Sequence, residues 1–454
     1  MQAINPLDGR YYEKTRALAE YFGEPALMKY RVMVECKYLI NLSLFGKIKL
    51  RRFTKNEIKI LENLYEKFND DSYQKIKNFE AITNHDVKAV EYFIKEKLSK
   101  TSLKDSIEWV HFALTSEDTN NISYALILSE SVEKVLMPKL KEIKKELSVL
   151  AKHYKNLPML ARTHGQPATP TTFGKEMNVF ASRIDRGLDH MLGQKILVKL
   201  NGASGNYNAH IAAFPKMAWL KFSKNFVLDL NKKLMFKLEL NEVTTQIEPH
   251  DSYIELFDRF KGINNMLIDF NQDMWRYISD DWINQKPKEG EVGSSTMPHK
   301  INPIDFENSE GNLGIANALF EFFARKLSIS RLQRDLSDST VERSFGTAFG
   351  HSFLAYVMLL KGLSKISVNE NKIKEDLLSH PEIITEGIQT ILRREGVAMP
   401  YEKLKNLTRG KKITLEEIYK FIDSLEVDIK IKKELKKITP ENYIGLASRL
   451  ASTK

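Results

Sequence analysis

Gly290-Glu-Val-Gly-Ser-Ser-Thr-Met-Pro-His-Lys-Ile-Asn-Pro303 separates two long stretches of helical periodicity. Its glycines let backbone N–H groups approach a ligand, and Pro298 and Pro303 limit regular structure. Lys300 supplies positive charge, Asn302 a neutral donor, and Ser294 and Ser295 hydroxyls that exchange protons. Interhelical loops of this length are either functional or solvated linkers. So many anion-seeking groups favour a mobile active-site loop. Before it, apolar residues recur at Ile254, Phe257, Phe260, Ile263, Leu267 and Phe270, the spacing of a long helix. After it, Ile304–Leu327 reads as a second helix, with Pro303 placed to start it.

A chain of 454 residues buries a large core and divides into two or three domains. Gly and Pro are scarce, at 21 and 14, and Lys, Leu and Glu are abundant, which points to helices. One cysteine, Cys36, excludes an intrachain disulfide and a cysteine-cluster metal site, so a cytoplasmic, reducing setting is expected. The first ten residues have no apolar signal core, and no apolar run approaches the ~18 residues that span a bilayer. The net charge of +10 suits an anionic small molecule or nucleic acid. Lysines interleaved with acids, as in Lys139-Leu-Lys-Glu-Ile-Lys-Lys145, instead read as solvated helix surface.

Further polar clusters interrupt the helical pattern. Thr83-Asn-His-Asp86 opens a helix, with Thr83 or Asn84 as the expected N-cap and His85 and Asp86 in its first turn. Thr115 to Asn121 forms a second cluster, with His111, Thr115 and Ser116 as donors beside a helix start suited to an anion. Arg162-Thr-His-Gly-Gln-Pro-Ala-Thr-Pro170 is a third, and its His164 lies on no apolar stripe. Asn201–His210 is a glycine- and asparagine-rich connection, and the lysine-rich 226–242 stretch reads as an extra helix or short excursion. Thr244–Asp251 precedes the long helix that leads to the opening loop. Ser330–Arg343 gathers three arginines, and another long pattern covers 347–366. The chain carries no HExxH, GxSxG, GxxxxGK[ST] or GxGxxG motif. What remains is proton transfer on a carboxylate- or phosphate-bearing substrate, with no metal and no organic cofactor expected. Helix ends of a bundle can gather such clusters into one site.

Residues 293–303 resemble the signature loop of the fumarase/aspartase/argininosuccinate lyase superfamily. Arg162–Pro170, Thr83–Asp86, Thr115–Asp118, Thr245–Asp251 and Gln333-Arg-Asp335 are similar to the adenylosuccinate lyase branch, in its longer bacterial form. The likeness runs from Asp8-Gly-Arg-Tyr11 to Pro440-Glu-Asn-Tyr-Ile-Gly445. It implies an all-α chain of three domains: residues 1–111, a long-helix bundle at 112–366, and 367–454. The bundles of four chains would form a 20-helix core in a homotetramer whose sites draw on several subunits.

The resemblance implies β-elimination of fumarate from two succinyl-amino nucleotides of purine synthesis. It makes Ser294 the general base, His164 the general acid, Glu307 the carboxylate that orients the histidine, and Lys300 a stabiliser of charge on the succinyl carboxylate. Arg10, Tyr11, Asn84, His85 and Asp86 fall to nucleotide binding, as do Arg334, Ser339 and Arg343. Thr115, Ser116 and Gln246 fall to the succinyl part, with His111 nearby and Ser295, Asn302 and Asn308 as further substrate contacts. Two other readings stand beside it. One is a different fumarate-releasing lyase of the superfamily, acting on argininosuccinate, fumarate or aspartate. The other is a basic helical scaffold that binds nucleic acid, without membrane association in either case.

Overall fold

The computed structural model describes residues 3–46, 48–287, 290, 296–297, 299–410 and 412–453. Ser294 and Ser295 therefore lie outside the described residues. The chain is all-α, and among the described residues it adds only three two-stranded sheets. It forms two compact units: Met1–Leu140 with Gly187–Asn265 and Gly311–Val357, and Lys141–Arg186 with Met266–Glu310 and Met358–Lys454.

In the first unit, the Glu24–Phe45 helix starts with Pro25 in its first turn and stops at Gly46, whose φ is +68°. Rings from three long helices, Asp251–Ser279, Ile304–Leu327 and Phe345–Ser364, fill the core. Phe257 meets Phe345 at 5.0 Å between centroids and Phe320 at 5.5 Å, and Phe320 meets Phe349 at 5.0 Å. Such contacts are offset or edge-on and add to the burial of large apolar area.

The polar cluster 115–121 does not break a helix here. It forms the first two turns of the Ser116–Ser131 helix, and Glu117, Asp118, Thr119, Asn120 and Asn121 are buried. Burying so many polar groups is tolerated because partners distant in sequence satisfy them. Asp118 pairs with the fully buried Lys199 at 2.8 Å and accepts from the N–H groups of Thr115, Asn201 and Gly202. Lys199 Nζ also donates to Gly202 O at 2.8 Å, and the Lys199 N–H to Asn121 Oδ1 at 2.9 Å. The loop so fixed passes Gly205, at φ +79°, where a Cβ would sit 2.2 Å from Thr244 O. Only glycine allows that approach. Ile196–Val198 then pairs in parallel with Leu238–Leu240, so the lysine-rich stretch resolves into the end of the Trp219–Leu230 helix, a short turn and a strand.

In the second unit, Arg162–Pro170 is a β-hairpin rather than a loop, with Pro158–Thr163 antiparallel to Gln166–Thr172. His164 and Gly165 form its two-residue turn, at φ +53° and +75°, the double left-handed geometry that matches strand twist. The Ile304–Leu327 helix begins where Pro303 predicts. Ile283–Gln285 pairs with Ile366–Val368, and Gln285 Nε2 donates to Ile301 O at 2.9 Å. This ties the chain entering the 290–303 segment to the chain leaving it. No helix among the described residues is long and apolar enough to cross a membrane.

Replacing Lys199 with methionine strands the Asp118 carboxylate in a sealed interior. The expected loss is about 3–5 kcal/mol in urea unfolding; a loss below about 1 kcal/mol would show that Asp118 finds other compensation.

Candidate active site

The first unit gathers the residues expected to hold a nucleotide. Asp86 receives Arg31 at 2.8 Å and Arg343 at 3.0 Å on one oxygen. Arg31 is buried, and its Nε donates to Asn120 Oδ1 at 2.9 Å. Burial pushes the Asp86 carboxyl up, but the neighbouring Arg31 and Arg343 charges hold it below its ordinary value. Arg343 Nη1 also donates to Ser339 Oγ at 3.0 Å, which joins three of the expected residues in one network. A cavity of about 340 Å³ lies against Arg343, with Asp8 and Tyr12 of the N-terminal turn on its wall, a volume within the usual range for small-molecule sites. On that turn the Arg10 guanidinium lies 5.7 Å from the Tyr11 ring centroid.

The helix cap departs from expectation. Asn84 ends the preceding helix in a left-handed conformation, and His85 is the N-cap of Asp86–Ser99. His85 Nδ1 accepts from the Lys88 N–H at 3.1 Å. The neutral ring then carries its proton on Nε2, leaving a donor for a ligand.

The residues expected around a succinyl group form a second network. Thr115 is the N-cap of the Ser116–Ser131 helix and closes a capping box with Asp118, which fixes that helix start. Gln246 accepts from Arg334 Nη1 at 3.3 Å and donates to Ala203 O at 2.9 Å, which uses both ends of its amide. Arg334 also reaches Glu117 Oε2 at 3.1 Å. His111, at φ +60°, shares Nδ1 with the buried Glu35 at 2.6 Å, and Thr119 donates to the same carboxylate oxygen. Burial alone would lower the His111 ring, but the Glu35 charge and hydrogen bond raise it above its ordinary value.

The second unit carries the residues expected to move protons. His164 sits exposed at the hairpin tip, and Lys300 is exposed beside the start of the Ile304–Leu327 helix. Glu307 lies in the first turn of that helix and accepts from Trp275 Nε1 at 3.1 Å. Asn302 and Asn308 flank these positions and are half-buried. Among the described residues, no hydrogen bond joins His164 to Glu307.

Sequence reasoning missed the buried partners. Glu117, His250 and Glu342 lie inside the stretches 115–118, 245–251 and 330–343 but were given no role there, and the sequence around Arg31, Glu35 and Lys199 is ordinary helix or strand. The one available signal is the run Glu117-Asp118, acids placed where a helix start favours them. Glu117, His250 and Asp338 bring ligand atoms within 4.8 Å of one another, a spacing a cation can share. The Arg334 guanidinium, 3.1 Å from Glu117, already supplies positive charge there.

The family model described as Lyase matches residues 9–317, and that described as Adenylosuccinate lyase C-terminal matches residues 330–444. The chain is 52% identical to an adenylosuccinate lyase of Dictyostelium discoideum, over 98% of this chain and 97% of the other. It is 47% identical to that of Escherichia coli (strain K12), again over 98% and 97%. A solved fumarate lyase from Mesorhizobium sp. BNC1 shares the fold, with a TM-score of 0.73 at 15% identity over 96% of both chains. A 3-carboxy-cis,cis-muconate lactonizing enzyme from Pseudomonas putida does so with a TM-score of 0.72 at 16% identity, over 99% of this chain and 98% of the other. By near-complete coverage at half identity, this chain belongs to the adenylosuccinate lyase family.

Proposed function

We propose that this chain cleaves adenylosuccinate to AMP and fumarate, and the succinylaminoimidazole-carboxamide ribotide to its carboxamide product and fumarate. The observation that carries the reading is the match to adenylosuccinate lyases over nearly the whole chain. The paired networks of Asp86–Arg343–Ser339 and Arg334–Gln246 support it, because a nucleotide phosphate and a succinyl carboxylate both need such donors. Arg10, Tyr11, Asn84 and His85 complete the nucleotide side, and Thr115, Ser116 and His111 the succinyl side. A nucleic-acid scaffold is disfavoured, since Arg31, Arg334 and Arg343 face acids of their own chain.

The reaction is a β-elimination. Ser294 takes the proton from the carbon next to a succinyl carboxylate, the C–N bond breaks, and His164 protonates the departing nitrogen. Charge gathers on the carboxylate as the proton leaves, and Lys300, Asn302 and loop N–H groups stabilise it, with Ser295 and Asn308 as neighbouring contacts. At the tip of a two-residue turn, His164 can reach out to a ligand. Glu307 is free on its second oxygen side to orient a histidine. Among the described residues His164 and Glu307 share no hydrogen bond, and the family reading gives their pairing to different subunits of a homotetramer. Exposed apolar residues on the long helices, among them Ile304, Ile315 and Phe322, are suited to a subunit interface. The same reading divides the chain at 111 and 366 into three domains.

Ser294→Ala and His164→Ala should each lower turnover by about 10²–10⁴-fold while leaving the circular dichroism unchanged. Near-normal fumarate release by either variant, followed by absorbance, removes that residue from proton transfer. Lys300→Ala should raise KM and lower kcat together; a change in thermal stability alone would sink its role at the carboxylate. Light scattering should give about four times the chain mass, and mixing the His164 and Ser294 variants should restore part of the activity. A monomer, or mixtures that stay inactive, argues against shared sites.

A further inference from the structure

We propose that Glu117 is a positioning residue that holds the Arg334 guanidinium, and through it the Gln246 amide, in the arrangement that receives substrate. The inference rests on the reading that Arg334 and Gln246 touch the substrate.

Glu117 occupies the first turn of the Ser116–Ser131 helix and is fully buried. Its Oε2 lies 3.1 Å from Arg334 Nη2, while Arg334 Nη1 donates to Gln246 Oε1 at 3.3 Å. The Gln246 Nε2 is occupied by Ala203 O, so the amide is held with its oxygen toward the arginine. Asp338, four residues beyond Arg334, stands 3.7 Å from its Nε and is the weaker partner. A guanidinium with 12% of its side-chain surface exposed has few other anchors. Its remaining N–H groups are the ones left for a ligand.

Neither Glu117 oxygen makes an aligned hydrogen bond, and both are sealed from solvent. An acid kept in that condition is costly for stability alone. The arrangement makes sense if its task is to set the place of a charge. Around it stand Glu342, which pairs with the buried His250 at 3.3 Å, and Asp338. Burial pushes the Glu117 carboxyl up to about 8, with the Glu342 charge adding to the rise and Arg334 and His250 opposing it. Burial alone would lower His250, but the Glu342 hydrogen bond and charge, and the charges of Glu117 and Glu248, raise it to about 9. Both shifts are in the direction that favours the protonated form of each group. A protonated Glu117 still offers a carbonyl oxygen to Arg334, so glutamine is a close replacement and leucine is not.

The test uses the full chain, with AMP as the probe in titration calorimetry, kcat and KM for adenylosuccinate, and thermal midpoints. Arg334→Ala should weaken AMP binding about tenfold or more. Glu117→Leu should weaken AMP binding and raise KM by about five- to tenfold, with kcat within about threefold. Glu117→Gln should stay within about twofold of the parent, and Glu117→Leu added to Arg334→Ala should cost less than about twofold more. Parental AMP affinity in Glu117→Leu, beside a weakened Arg334→Ala, overturns the inference and leaves the site reading intact. A lowered thermal midpoint with parental affinity overturns it equally, since that is a purely structural role. Parental affinity in Arg334→Ala overturns the site reading and the inference with it. If the leucine variant does not fold, Glu117→Ala carries the same measurements.

Discussion

The buried pair of Asp118 and Lys199 is the interaction on which the first unit's site depends. Two charges with no solvent exposure are stable together only when every remaining donor and acceptor is matched. Here the carboxylate takes three backbone N–H groups besides the ammonium, and the ammonium a backbone carbonyl. The N–H groups belong to Thr115 on one side and to Asn201 and Gly202 on the other. The pair therefore welds the start of a helix to a loop, and that loop reaches Thr244 through Asn201 and Gln246 through Ala203. Residues assigned to the succinyl group thus sit on one rigid frame, although they come from two distant parts of the chain joined by that loop.

A common device recurs around that frame. Asp86 is backed by Arg31, His111 by Glu35, and Arg334 by Glu117, and each backing residue is buried. Binding groups placed this way lose little freedom when a ligand arrives, and more of the contact energy appears as affinity. The residues assigned to proton transfer differ. His164 lies on an exposed turn, Lys300 next to a glycine-bearing loop, and Glu307 on an exposed helix start. Groups that must meet a reacting atom only when the substrate is enclosed suit such positions.

The long helices were legible because their apolar spacing and stop signals are local. Ile304–Leu327 follows from Pro303 and the periodicity after it, and Phe345–Ser364 lies within two residues of its reading. What escaped depended on distant partners. Thr115 to Asn121 looked like a break in a helix, because seven polar residues in a row rarely enter a core. Five of them do so here, and Lys199, Asn201 and Gly202 arrive to meet Asp118 and Asn121. The 162–170 hairpin escaped for a different reason. Its prolines and its single histidine–glycine turn hide the alternation that marks strands, and pairing between the two short runs supplies what each lacks.

The charge of the chain gains a physical meaning from this arrangement. An excess of ten positive groups draws anions broadly, but breadth is not selectivity. Arg31, Arg334 and Arg343 are each met by an acid of their own chain before any ligand comes. An anion that binds beside Arg343 must therefore compete with the Asp86 carboxylate already in place. A singly charged or misplaced anion gains little from that exchange. A ligand with a phosphate and two carboxylates at fixed separation meets several such arginines and amides at once, and only then do the gains add. Acids beside Arg334 and Arg343, which look like a weakness when each pair is taken alone, raise the demand on any anion that would take their place.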